Sequence, residues 1–182
     1  MRTLSLFFAL AALTLMGQPA PQPDQPPGSL APYLPTPDSV VDRMLQAGKL
    51  EPGQTMFDLG SGDGRIVIAA AKKYKANAIG VELDDALVAK SKAKIFALGL
   101  DKTARIIRGD LLQQDYSSAD LVTIYLWPEA NAKVARLLEQ QLKKGARVVA
   151  HDFPMDKWTP SATITIPDDG TGRSHTLYVY IR

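Results

Sequence analysis

From residue 55 to residue 150, short apolar runs alternate with segments of helical periodicity, and two further apolar runs follow with no helix between them. Residues 55–59, 78–81, 104–108, 121–126 and 146–150 read as strands. Residues 64–74, 84–98 and 131–142 read as helices, and an earlier helix runs from Asp38 to about Gln46. The second helix shows the pattern clearly: Ile66, Val67, Ala70, Ala71 and Tyr74 share one face. The 121–126 run is almost continuously apolar, as a strand buried on both faces must be. Such alternation gives a parallel sheet covered by helices. The closing runs, 163–166 and 176–181, are joined by the turn 167–172 and must pair antiparallel. The expected fold is therefore α/β: a Rossmann-like, doubly wound, mostly parallel seven-stranded sheet with an antiparallel last strand and helices on both faces. A chain of 182 residues is long enough for one such domain and short for two.

Composition narrows the chemistry. The chain has no cysteine and two histidines, His151 and His175. Disulfides, thiolate zinc sites, iron–sulfur clusters and Cys nucleophiles are excluded together, and no metal site is expected. The 21 Lys and Arg against 19 Asp and Glu give a net charge of +2. That balance argues against a dedicated nucleic-acid binder. Two lysine clusters, Lys72, Lys73, Lys75 and Lys90, Lys92, Lys94, fit solvated helix faces, or contact with an acidic partner.

The first 20 residues stand apart. Arg2 precedes an apolar run from Leu4 to Met16, shorter than the roughly 20 residues that span a bilayer as a helix. The segment 1–20 reads as a signal peptide or a retained membrane anchor, which implies a membrane-associated or exported protein of unsettled sidedness. Residues 21–31 form a proline-rich linker. The domain then occupies 32–182.

The strongest local signal is Asp58-Leu59-Gly60-Ser61-Gly62-Asp63-Gly64-Arg65, at a strand-to-helix junction. In a doubly wound sheet this crossover binds a nucleotide-like ligand. A dinucleotide fingerprint wants a third glycine where Arg65 stands, and Asp58 and Asp63 would repel a pyrophosphate. A cationic nucleoside such as S-adenosylmethionine would instead be attracted. Glu82, at the end of the second strand, can accept from ribose hydroxyls, and Asp110, after the third, from an adenine amine. One acid at the end of each of three successive strands, beside the glycine loop, is a far more specific constellation than the loop alone.

These residues resemble the class I, seven-β-strand methyltransferases. The further segments PYLPTP (32–37), IGVELD, TIYLWPEAN and ARVVAHDF, with Trp158 downstream, resemble a small subgroup. That subgroup includes archaeal broad-specificity protein-lysine methyltransferases and mitochondrial lysine methyltransferases of the ATP synthase c subunit and the adenine nucleotide translocase. The resemblance implies S-adenosyl-L-methionine as cofactor, held by Tyr33, Thr36, Asp58, Gly60, Ser61, Gly62, Asp63, Gly64, Glu82, Asp110 and Leu111. It implies methyl transfer to a protein lysine ε-amine, by a monomer, on a substrate that could itself be membrane-associated.

Tyr33, Tyr125, Trp127, Pro128, His151 and Trp158 are the expected substrate-pocket residues, and Tyr125 and Asp152 the expected catalytic pair. Aromatic walls suit an ammonium, although Tyr125, Trp127, His151 and Trp158 equally suit a core. No Asn/Asp-Pro-Pro-Tyr/Phe segment follows the fourth strand, which counts against nucleobase amines. No inserted lid is visible, and an open pocket favours a side chain on a large partner. An RNA or small-molecule methyltransferase, and a non-catalytic cofactor-binding module, remain as alternatives.

Overall fold

The computed structural model describes residues 29–30 and 33–182. The leader 1–20 and most of the linker 21–31 lie outside the described residues. The expectation of a membrane-associated or exported protein is corrected. Among the described residues no helix is long and apolar enough to cross a membrane, and the apolar run that carried the expectation lies outside them.

Along the chain come α1 (Asp38–Ala47), β1 (Thr55–Leu59), α2 (Arg65–Tyr74), β2 (Asn77–Glu82), α3 (Asp85–Ala97), β3 (Ala104–Arg108), a 3-10 turn (Leu111–Gln113), β4 (Leu121–Ile124), α4 (Pro128–Gln141), β5 (Arg147–His151), β6 (Ala162–Ile166) and β7 (His175–Ile181). They form one seven-stranded sheet in the order β3-β2-β1-β4-β5-β7-β6. β7 is antiparallel to both its neighbours, and the other pairs are parallel. This is the expected fold.

Side-chain alternation divides the core into two layers. Met56, Ala78, Ile106 and Leu121 face α1, α2 and α3, where Val40, Met44, Val67, Ala70 and Ile95 meet them. Phe57, Ile79, Val122 and Val148 face α4 through Ala130, Val134 and Leu138. Each buried Leu, Ile, Val or Met contributes roughly 1.5–3 kcal/mol of transfer free energy. The two layers thus clamp β1 and β4 at the middle of the sheet.

Element ends differ from expectation where local chemistry intervenes. α4 begins at Pro128, in the first turn, where a missing N–H costs nothing. β4 ends at Ile124, so Tyr125 to Trp127 are loop. Pro37 occupies the cap position of α1, with no side-chain cap. Asp84 does cap α3, its Oδ1 accepting the Leu87 N–H at 2.8 Å. The chain order reverses between β1 and β4, and such a switch point opens a crevice at the carboxyl ends of the strands.

Candidate functional site

That crevice is a cavity. Its lining includes Asp58 near the end of β1 and the glycine loop that follows, Glu82 at the end of β2, Gly109 to Leu111 after β3, Tyr125 after β4, and the strap of Ser29, Leu30 and residues 33–36. The loop bends in the left-handed region at Gly60, Gly62 and Gly64, with φ of 75°, 54° and 77°. Its amides are tied to the end of β2: the Gly60 and Ser61 N–H groups donate to Val81 O, and the Gly62 N–H donates to Glu82 Oε2 at 2.7 Å. At Gly62 an added Cβ would stand 2.6 Å from the Tyr33 ring, so loop and strap touch only because no side chain is there. Gly64 does not line the cavity; it caps α2 against Ser91.

The four acids differ in what is left for a ligand. Glu82 accepts from Gly62, and its Oε1 accepts the Leu83 and Asp84 N–H groups at 2.8 and 2.9 Å, which fixes its carboxylate at the rim. Asp110 caps the 3-10 turn, its Oδ1 accepting the Leu112 N–H at 2.8 Å, and it also lines the cavity. Asp63 is spent on structure. Burial acts to raise its pKa, but the Arg65 guanidinium at 2.9 Å and the Lys94 ammonium at 2.8 Å outweigh burial and hold it well below the usual carboxylate range. Arg65 also donates to Thr36 O at 2.9 Å, tying the strap to α2.

Asp58 is the contrasting case. It is 3% exposed, it receives a hydrogen bond from Thr123 Oγ1 at 2.7 Å, and no cation among the described residues pairs with it. Burial pushes its carboxyl up to about 7; Glu82 and Asp63 add repulsion, and Thr123 opposes. A buried, cation-free carboxyl beside a glycine loop suits a ligand that brings its own positive charge. A phosphate would meet the repulsion of Asp58 and Glu82 together. The donor set therefore fits S-adenosylmethionine and not a dinucleotide.

The remaining expected residues divide. Tyr33, Thr36 and Tyr125 line the cavity. Trp127 is 42% exposed just past Tyr125, and Pro128 starts α4. His151 is fully buried behind Tyr125, ring centroids 3.9 Å apart. Burial pushes the His151 imidazole down to about 4, so it is neutral. Burial and the neighbouring Asp152 raise the Tyr125 phenol. Trp158 is not brought to the cavity: it packs edge-on against Tyr180 at 5.7 Å, with the Arg182 guanidinium 5.1 Å over its ring. Asp152 does not line the cavity either; its Oδ1 accepts the Thr176 N–H at 2.9 Å and its Oδ2 lies 2.9 Å from His175 Nδ1.

The sequence reading missed Thr123, Arg65, Lys94 and His175. Thr123 carried a signal, as the one hydroxyl in the apolar run of β4. Lys94 and His175 carried none, since each reaches its partner through tertiary folding. His175 sits between Asp152 and Asp169; burial would lower its pKa, but these carboxylates raise it.

Comparison with known proteins agrees with this geometry. The family model of the ANTKMT methyltransferase domain matches residues 58–162. A protein of Saccharolobus islandicus (strain REY15A) named protein-lysine N-methyltransferase is 39% identical over 151 residues, 82% of this chain and 92% of its own. The mouse lysine N-methyltransferase of the ATP synthase c subunit is 35% identical over 132 residues, 72% of this chain; the match spans about half of the mouse protein, 53%. A solved structure from Salinibacter ruber, titled an RNA methyltransferase in complex with S-adenosyl-L-homocysteine, superposes with a TM-score of 0.76 at 40% identity, covering 81% of this chain and 93% of that one. With the fold, the glycine loop and these relatives together, the chain belongs to the ANTKMT methyltransferase domain family and is an S-adenosylmethionine-dependent methyltransferase.

Proposed function

We propose that the chain methylates a lysine ε-amine on a protein. The observation that carries this reading is the cavity's form. It has an aromatic wall at Tyr125 and Tyr33, an exposed Leu34 in its lining, an exposed Trp127 two residues past Tyr125, and no enclosing cap beyond the short strap among the described residues. A side chain on a large partner can enter such an opening, with the partner's surface resting on the rim. The names of the archaeal and mouse relatives support the same class.

In this reading Asp58 faces the cationic end of the cofactor, Glu82 its ribose and Asp110 with Leu111 its base. Gly60, Ser61 and Gly62 let the backbone approach closely, and Tyr33 and Thr36 cover the site from the strap. When bound, S-adenosylmethionine supplies an activated methyl group. The protein's task is to present a neutral amine. A free lysine has a pKa near 10.4, which desolvation lowers. Tyr125, fixed by its tilted ring contact with His151, gives the amine an apolar face that accepts partial positive charge. Holding the amine in line supplies much of the remaining effect. Tyr125→Phe, which keeps the ring, is expected to retain kcat within about tenfold. Tyr125→Ala is expected to lose a hundredfold or more, and steady-state kinetics on a protein substrate would show the split.

The likeness to the Salinibacter ruber RNA methyltransferase favours RNA as a second reading. The full chain incubated with methyl-labelled cofactor and cell extract separates the two. Label removed by protease and mapped to Lys supports the proposal, whereas label removed by ribonuclease moves the assignment to RNA. Asp58→Ala with Glu82→Ala serves as the inactive control.

A further inference from the structure

The chain's only two histidines, distant in sequence, meet behind the wall of the cavity. His151 Nε2 lies 2.9 Å from His175 Nδ1, His175 Nδ1 lies 2.9 Å from Asp152 Oδ2, and His151 Nε2 lies 3.4 Å from Asp152 Oδ2. His175 Nε2 faces the Asp169 carboxylate, 3.2 Å away. That leaves two imidazole nitrogens and one carboxylate oxygen turned toward one another, a donor set of the kind that holds a metal ion.

We propose that His151, Asp152 and His175 form a binding site for a divalent first-row transition-metal ion. Four observations carry it. Metal bonds of about 2.0–2.2 Å at angles between 90° and 109° put neighbouring donors about 2.9–3.5 Å apart, the range of the three distances. Each histidine is braced at its other ring nitrogen, His175 by Asp169 and His151 by Thr36 Oγ1 at 3.4 Å; metal-bound imidazoles are held this way. The charges of Asp152 and Asp169 together offset those of a divalent ion. Asp152 is itself fixed, its Oδ1 accepting the Thr176 N–H at 2.9 Å, so that Oδ2 is the oxygen turned to the two histidines. Its side chain is a quarter exposed, which gives an ion a way in.

Two imidazoles and one carboxylate suit zinc, cobalt or iron over magnesium or calcium. Through His151 the ion would brace both Tyr125 and Thr36, which line the cavity. It would take no part in the transfer itself, and the inference does not rest on lysine as the acceptor.

The test uses the full chain, stripped with a chelator and titrated with Zn2+ by calorimetry and with Co2+ by visible absorption. One equivalent should bind with a submicromolar Kd, and bound Co2+ should show the intense bands of a low-symmetry site. His151→Ala and His175→Ala should each weaken binding at least a hundredfold. Asp169→Asn, which leaves the three donors in place, should weaken it about 10–100-fold. Circular dichroism and cofactor binding by each variant show whether it is folded. An unfolded alanine variant leaves the decision with Asp169→Asn. Absence of a stoichiometric site, or affinity unchanged in the folded variants, would overturn the proposal and assign the triangle to an extra proton on His175. None of these readouts depends on methyl transfer.

Discussion

Asp58 shows at the residue scale how a site can be stored as unfavourable energy. Its folded pKa, about 7, lies above the 3.8 of an unfolded chain. Between those values the folded protein holds a proton that the unfolded chain has lost, so stability falls as pH rises across that window and is lowest above it. Asp58→Asn, still within reach of Thr123, should therefore stabilise the ligand-free protein at pH 8 by on the order of a few kcal/mol and raise its Tm. It should also flatten the Tm between pH 5 and 8 and weaken cofactor binding at least tenfold. In the unaltered protein, cofactor affinity should drop below pH 7 by up to about tenfold per unit. Calorimetric titration at four pH values checks both statements. Asp58, Glu82 and Asp110 were legible in the sequence because each lies at or just past the carboxyl end of a recognisable strand. The difference between Asp58 and Asp63 was not. Flanking one loop, they look alike until Lys94 arrives from α3 to neutralise one of them.

The loop between β1 and α2 illustrates the element scale. Gly62 and Gly80 are needed for different reasons. At Gly62, alanine meets both a left-handed backbone and the Tyr33 ring. Gly62→Ala should cost about 1–2 kcal/mol of backbone strain and lower cofactor affinity more than tenfold. Adding Tyr33→Ala should recover the steric part alone, a separation that a double-mutant cycle measures. At Gly80, in the middle of β2, the backbone is ordinary, but a Cβ would stand 2.5 Å from Ser61 Oγ and 2.7 Å from Ile106 Cδ1. Gly80→Ala should destabilise by about 1–3 kcal/mol, readable from urea unfolding. The left-handed glycines announce themselves in sequence as a cluster. Gly80 does not, since its requirement comes from a residue on another element. The same limit explains α4: the apolar periodicity placed its start near Asn131, whereas the helix begins at Pro128 because proline costs nothing in a first turn.

For the whole molecule, the order of elements was enough to give the sheet. Five crossover strands and a closing pair admit few right-handed, unthreaded arrangements, and the observed order is one of them. Where the last pair docks was less visible. β7, not β6, lies against β5, and this brings His175 to His151. The absence of a cap among the described residues has a functional corollary at this scale. Free lysine, which cannot rest on the exposed Leu34 and Trp127, should be methylated at under about 1% of the rate of a protein substrate, as a competition assay with labelled cofactor would show. The ion pair between Lys94 and Asp63 has a practical corollary of its own. Lys94 is 40% exposed, yet its ammonium is held by a carboxylate of the glycine loop. An acylating reagent therefore reaches the side chain but finds the amine occupied whenever the loop is in place. Lysine labelling read by mass spectrometry would make Lys94 an internal reporter of loop order, with Lys90 and Lys92 on the same helix as its reference.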